Sequence, residues 1–403
     1  MSLADDIKSL ALELGFHAVG ITSAEPLVEA ERVLSERLEH GLLEGSGYDQ
    51  ETIRLYTHPR ESLLTARSII SVALSYLSDG SDLSDQSDVS DKSDGSEMPR
   101  GRMARFSRGL DYHGVLQERL FVLAGDIRAK LGRHAEIRPF ADTGPLVDRS
   151  VAIRAGLGSH GKNTCVYAGE YGSWVVLGEF LTDLELEPDA PFGQAQDRPS
   201  PLDICGECDE CMRACPTGAI CAPYVVDVRI CLSHVTQSKG FIPHRLREKL
   251  GARIYGCDTC QSACPLNKGA KPGDVDDFRP HRGLGEAPEL LPLLNITPAE
   301  FAARVAPTTA GWIRRTRFRR NVAVALGNIG DPSAVPGLVE ALSDPEPVIR
   351  GHAAWALGKI GTPPAHLALE NAIARETDER VTEEIRDALE MGSSGPNPDQ
   401  HLV

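Results

Sequence analysis

The amino-acid sequence predicts an α+β chain in three consecutive parts, and three observations carry that prediction. Helical and strand patterns alternate loosely over the first half. Nine of the ten cysteines crowd into residues 205–264. Near the C-terminus a seven-residue phrase recurs 31 residues on. At 403 residues the chain has room for two or three domains, and 41% hydrophobic content can bury a sizeable core.

Residues 4–14 predict an amphipathic helix, because Ile7, Leu10, Ala11 and Leu14 fall at i, i+3, i+4 and i+7. Ser2 with Asp5 makes a capping-box pattern, and Gly15 suits the position past the helix end. Ala18–Ile21 reads as a short strand, 26–40 as a second helix, and Ala66–Tyr76 as a buried strand rich in β-branched residues. Asp111–Leu131 reads as a helix and Trp174–Phe180 as another apolar strand. This alternation predicts an α/β or α+β domain over 1–195.

Within it, residues 136–165 are dense in polar and glycine signals. Asp142-Thr143-Gly144-Pro145 is a turn leading into a helix, and such a turn is most often structural, since Asp caps its own backbone. Gly156, Gly158 and Gly161 precede Lys162 and Asn163. Neither the Walker spacing of a phosphate loop nor the strand-linked G-x-G-x-x-G of a dinucleotide fold is present.

Cys205, Cys208, Cys211 and Cys215, followed by Pro216, read C-x2-C-x2-C-x3-C-P; Cys257, Cys260, Cys264 and Pro265 read C-x2-C-x3-C-P. The first run has the spacing of a bacterial ferredoxin site, whose fourth cysteine reaches a second cluster. Two-residue gaps let successive thiolates curl around one iron–sulfur cube. Counting ligands then assigns Cys205, Cys208, Cys211 and Cys264 to one [4Fe–4S] cluster, and Cys215, Cys231, Cys257 and Cys260 to another. Cys165 and Cys221 are left over and read as small buried residues. Zinc sites space their pairs differently, and a disulfide framework needs a secreted chain. This segment is taken as a ferredoxin-like domain over 196–296, and it says that electrons pass through the protein.

Net charge is −16. Residues 78–97 repeat Ser-acid-x with almost no apolar content, which predicts a disordered surface insertion. So acidic a chain does not bind nucleic acid by bulk charge, so any such binding rests on a local patch. No apolar run approaches a membrane span, and the N-terminus lacks a basic start and an apolar h-region, which predicts a cytoplasmic protein with no membrane partner.

After about Thr297 the pattern changes. Val324-Ala325-Leu326-Gly327-Asn328-Ile329-Gly330 returns as Trp355-Ala356-Leu357-Gly358-Lys359-Ile360-Gly361, and a weaker third copy starts in Arg380–Leu389. A helix, a Gly turn and a second helix at this period predict a HEAT-like α-solenoid over 297–392, with a frayed tail over 393–403. Just before the repeats, Arg314, Arg315, Arg317, Arg319 and Arg320 are interleaved with Trp312 and Phe318. They are candidates for phosphate contacts, or equally for a solvated face paired with acids.

Together these pieces resemble the epoxyqueuosine reductases, cobalamin and iron–sulfur enzymes of queuosine tRNA maturation. The residues that carry the resemblance are ARSIISVALSY (66–76), ARFSRGLDYH (104–113), FADTGPLVDRSVAIRAGLGSHGKN (140–163), LGEFLTDLEL (177–186), CLSHVTQSKG (231–240), YGCDTCQSACP (255–265) and the repeats.

The resemblance implies an N-terminal cobalamin-binding domain similar to that of corrinoid reductive dehalogenases. It also implies reduction of epoxyqueuosine in tRNA, with Asp142 as proton donor. Arg60, Arg105, Val166, Leu177, Leu232 and Gly256 match corrin-lining positions, and Lys239 a position near cofactor and tRNA. The Asp-x-His-x-x-Gly motif of His-on corrinoid proteins is missing, since Leu116 stands where Gly would be, which implies cobalamin without a protein histidine on cobalt. Burial against the corrin is expected to raise the Asp142 pKa. Ser159-His160 stands where the family usually carries an aromatic residue, which bears on the pocket wall. A low-potential electron donor and a monomer complete the expectation. The alternative is a reductive dehalogenase-like corrinoid reductase acting on a small molecule.

Overall fold

The computed structural model describes residues 2–78, 98–189 and 204–393. The acidic repeat from residue 79 to 97 and the tail from residue 394 lie outside the described residues. The chain forms two compact units, and they do not follow three consecutive segments. One takes the described residues up to Ser78 with Gly109–Cys231 and Asp258–Arg282; the other takes Met98 to Arg108, Leu232–Cys257 and the chain from Gly283 onward. The span expected as a separate ferredoxin-like domain is thus shared between the two.

The first unit is organised on a four-stranded sheet of order β1-β2-β4-β3, with β1 Ala18–Ser23, β2 Ser68–Ser75, β3 Ile137–Phe140 and β4 Val175–Thr182. Every pairing is antiparallel, so the unit is α+β and lacks the parallel α/β sheet that the alternation of elements suggested. Periodicity reveals strands but not their direction, and the long connections here return each strand antiparallel to its neighbour.

Helix α1 (Leu3–Glu13) starts with the expected capping box: Ser2 Oγ accepts from Asp5 N–H, and the Asp5 carboxylate accepts from Ser2 N–H. Helix α2 (Tyr112–Leu131), capped by Asp111, sends Leu116 and Leu120 toward Gly178 on one sheet face. Helix α3 (Asp148–Arg154) covers the other. There Ile69, Leu146, Val151 and Leu181 form one apolar cluster, and Ala73, Ala152, Ala155, Leu157 and Val166 form a second.

In the second unit the repeats are helical as expected. Helix α4 (Arg314–Ile329) and helix α5 (Pro347–Ile360) each end on a left-handed glycine, Gly330 and Gly361. A Cβ on Gly327 would meet Ala356 Cα at 2.8 Å, and one on Gly358 would meet Ala388 Cα at 2.8 Å. The recurring glycine is therefore what lets successive helices touch backbone to backbone, ending with helix α6 (Glu379–Ser393). Buried Asn321 ties α4 to the strand Arg253–Tyr255 and the helix Leu232–Gln237, donating to Ile254 O and Thr236 O at 2.8 Å each. Among the described residues, no helix is long and apolar enough to cross a membrane.

Candidate active site and cluster-binding loops

Cys205, Cys208, Cys211 and Cys264 line one pocket, together with Lys162, Asn163, Tyr167 and Leu266. These are the four thiols that ligand counting put together across a gap of some fifty residues. Among the described residues, no three His, Cys, Asp or Glu converge tightly enough for a single metal ion.

Lys162 closes this pocket. Its backbone N–H points at Cys205 Sγ at 3.4 Å, and its Nζ donates to Gly206 O at 2.6 Å and Cys208 O at 2.9 Å. The glycine-lysine segment thus serves the cysteine loop, which periodicity and spacing did not reveal. Asn163 Nδ2 donates to Tyr167 Oη at 3.0 Å and to Cys260 O at 3.4 Å, which ties the second run to the same segment. Burial alone would raise the Cys215 thiol. The backbone N–H groups of Ile220, Thr217 and Ala219 and the Thr217 hydroxyl instead hold it below its usual value, an environment suited to a thiolate ligand. Cys221, expected to be buried, is exposed. It sits on the short hairpin strand Ile220–Ala222, where alternation turns it to solvent.

The second constellation surrounds Asp142. The residue sits just past β3 with φ 58°, a left-handed conformation that aspartate tolerates better than most. A Cβ on Gly144 would stand 2.5 Å from Phe140 Cβ, so only glycine lets the turn fold back here. The Asp142 side chain is 52% exposed. Its carboxylate accepts from the Tyr112 hydroxyl and faces His113 Nε2 at 3.6 Å. His113 Nδ1 meets Asp111 Oδ1 at 2.7 Å, and the Tyr112 and His113 rings stack with centroids 4.0 Å apart.

Partial burial disfavours charge on Asp142, but the His113 and Tyr112 hydrogen bonds outweigh it and hold the group at about 2. The sequence does not show that α2 presents two donors to this carboxyl. Burial alone would lower His113, while Asp111 and Asp142 raise it to about 9. Nearby, burial and the Arg149 and Arg37 charges lower His160 to about 4.

Sequence reasoning missed two further acids. Asp148, the first residue of α3, is pushed up to about 8 by burial and the Asp142 charge. Glu179, within β4, is raised well above its usual value by burial and Asp148. The available signal was a single acid in an otherwise uncharged strand, Val175–Thr182.

The remaining candidates divide between the units. In the first, Val166 is buried and Leu177 packs half-buried on the same apolar cluster, while Arg60 pairs with Glu25 at 2.8 Å. In the second, Arg105 and Leu232 are buried and Lys239 is exposed. Gly256 has φ 71° and donates its N–H to Thr236 Oγ1 at 3.0 Å.

Two of the five arginines are corrected. Arg319 is buried, bonded to Asp344 at 2.5 Å and to Leu294 O at 2.6 Å. Arg320 is also buried and donates to Ser238 O and Gly240 O at 2.7 Å. One helical turn carries both inward, so neither can meet a phosphate. Arg314 is exposed, and Arg315 and Arg317 are half-buried.

Family models agree with these parts. One described as "4Fe-4S double cluster binding domain" matches residues 204–267, "HEAT repeats" matches 314–390, and "Epoxyqueuosine reductase QueG, DUF1730" matches 57–143. An epoxyqueuosine reductase of Bacillus subtilis (strain 168) is 39% identical over 399 residues, covering 96% of each chain. One of Listeria monocytogenes is 37% identical over 95% of this chain and 96% of its own.

A crystal structure of epoxyqueuosine reductase with a tRNA-Tyr epoxyqueuosine-modified tRNA stem loop is 37% identical, with TM-score 0.87, covering 97% of this chain and 99% of that one. A Bacillus subtilis structure, with its catalytic aspartate loop swung out of the active site, is 37% identical with TM-score 0.85, covering 96% and 98%. With full-length relatives this similar, the chain belongs to the epoxyqueuosine reductase family and is an oxidoreductase.

Proposed function

We propose that this chain reduces epoxyqueuosine to queuosine at the wobble position of tRNA, with Asp142 delivering protons. The observation that supports this most is the full-length likeness to an epoxyqueuosine reductase crystallised with a modified tRNA stem loop. Removing an epoxide oxygen as water takes two electrons and two protons. Cys205, Cys208, Cys211 and Cys264 hold one [4Fe–4S] cluster, and Cys215, Cys231, Cys257 and Cys260 the other. A low-potential donor feeds them one electron at a time.

Cobalamin fits the chemistry of the residues present. Both ring nitrogens of His113 face carboxylates, so it is not free to ligate cobalt, in keeping with a corrinoid bound without a protein histidine. Of the first unit's residues, Arg60, Asp142, Val166 and Leu177 would hold the group. When bound it supplies a cobalt centre able to form and break bonds to carbon. Tyr112 and His113 orient the Asp142 carboxyl and keep a proton-bearing network around it. On the second unit, Arg314, Arg315, Arg317 and Lys239 are the cations left for tRNA phosphates.

The test is Asp142→Asn, purified anaerobically and supplied with cobalamin and epoxyqueuosine-containing tRNA. Iron, sulfide and cobalt contents stay at wild-type levels while turnover falls by about 10²-fold or more, the scale of general acid catalysis. Wild-type turnover in this variant removes Asp142 from its role. No conversion by the loaded wild type overturns the function.

A further inference from the structure

Glu179 pairs across the sheet with Phe140, two residues before Asp142, and Asp148 feels the charge of both acids. Glu179 is wholly buried on the α3 side of the sheet. Leu181 and Ile69 belong to the apolar cluster on one side of it, and Leu177 and Ala73 to the cluster on the other. Its cross-strand neighbour is Ser71. Both Glu179 oxygens, Asp148 Oδ1 and Ser71 Oγ are buried with no N–H or O–H partner in hydrogen-bonding geometry. Such a concentration of unsatisfied oxygens in an apolar layer is costly unless the carboxyls bond to one another. Carboxyls can do so only when at least one carries a proton.

The titratable and charged groups facing these acids are few. Tyr112 and His113 of α2 face Asp142; Arg149 of α3 and Tyr48 face Asp148. The donors thus cluster on Asp142, the acid nearest solvent, and burial deepens from Asp142 to Glu179.

The geometry points to a carboxyl dyad, Asp142 with Asp148, that holds one shared proton above the buried Glu179 and supplies that proton to the substrate oxygen. This rests on the reading of Asp142 as proton donor, and it resolves a difficulty in it. Asp142 alone, held at about 2, would be an empty carboxylate near neutral pH, whereas Asp148 keeps a proton up to about pH 8. Two carboxyls in contact resist ionising together, so the proton belongs to the pair.

In each delivery, Asp148 O–H passes its proton to the Asp142 carboxylate. The Glu179 O–H and Arg149 stabilise the Asp148 anion left behind, the two groups that favour its charge. Asp142 O–H then protonates the epoxide oxygen as its C–O bond breaks, and solvent refills the dyad through the open face of Asp142. Two such deliveries with two electrons from the clusters release the oxygen as water, so atoms and charge balance. Asp148 and Glu179 do not touch the substrate and are positioning residues.

The experiment combines a pH profile with infrared spectroscopy of the cofactor-free protein, where protonated carboxyls give a separate C=O band. In the wild type one such carboxyl is lost near pH 8 and a second persists above it. Asp148→Asn removes the first and leaves the second. In the loaded enzyme it lowers kcat at pH 7 by tenfold or more, leaves KM for the tRNA unchanged, and moves the pH optimum to the acid side by at least one unit. Asp148→Glu restores part of the alkaline limb.

An Asp148→Asn enzyme with the wild-type pH profile overturns the dyad, and if Asp142→Asn is inactive at the same time, only the dyad falls. Wild-type turnover in Asp142→Asn sinks the underlying reading instead. If Asp148→Asn does not fold, Glu179→Gln decides: it keeps the band lost near pH 8, and a protein without that band at pH 7 overturns the proposal.

Discussion

Replacing Lys162 with Met keeps the aliphatic stem and removes the ammonium that bridges the first cysteine loop. Two bonds go, to Gly206 O at 2.6 Å and to Cys208 O at 2.9 Å. Hydrogen bonds from a charged donor contribute about 1.5–3 kcal/mol each. The one to Gly206 is exposed, so water competes for it and it belongs at or below the low end. A combined loss of about 2–4 kcal/mol corresponds to roughly 30- to 1000-fold easier opening of the loop.

The assay is loss of visible absorbance when anaerobically purified protein meets an iron chelator. Expected are two phases of similar size: one accelerated within that range, the other at the wild-type rate, because both Lys162 bonds go to the loop of Cys205 and Cys208. A wild-type rate for both phases, or equal acceleration of both, refutes the reasoning.

Arg319→Ala breaks a buried ion pair and strands Asp344, which costs about 3–5 kcal/mol in unfolding free energy, while the salt slope of tRNA binding stays unchanged. Arg314→Ala and Lys239→Ala do the reverse. Stability is unaffected, and each lowers the slope of log affinity against log salt by about 0.7–0.9, checked by filter binding from 50 to 200 mM salt. The His113–Asp142 pair makes stability pH-dependent. The His113 contribution is full below its ordinary value of 6.5 and is lost as pH rises through about 9. That of Asp142 is full above 3.8 and is lost as pH falls through about 2. The Tm difference between wild type and His113→Gln therefore peaks between about pH 4 and 6.5 and shrinks above pH 8. A difference that is flat from pH 4 to 10 contradicts the pairing.

Sequence alone determined the elements whose cause is local. The Ser2–Asp5 capping box, the strand Ser68–Ser75 and the repeated glycines of α4 and α5 were all legible, because period, cap and turn chemistry act over a few residues. The pocket of Cys205, Cys208, Cys211 and Cys264 was legible too, since the ligand count of an iron–sulfur cube is a chemical constraint that reaches across the chain. Strand direction, the inward turn of Arg319 and Arg320, and the state of Asp142 were decided only by tertiary structure. A side chain's charge depends on which donors, acids and apolar layers fold against it. Tyr112, Asp148 and Glu179 come from three different elements, and folding alone sets them around one carboxylate.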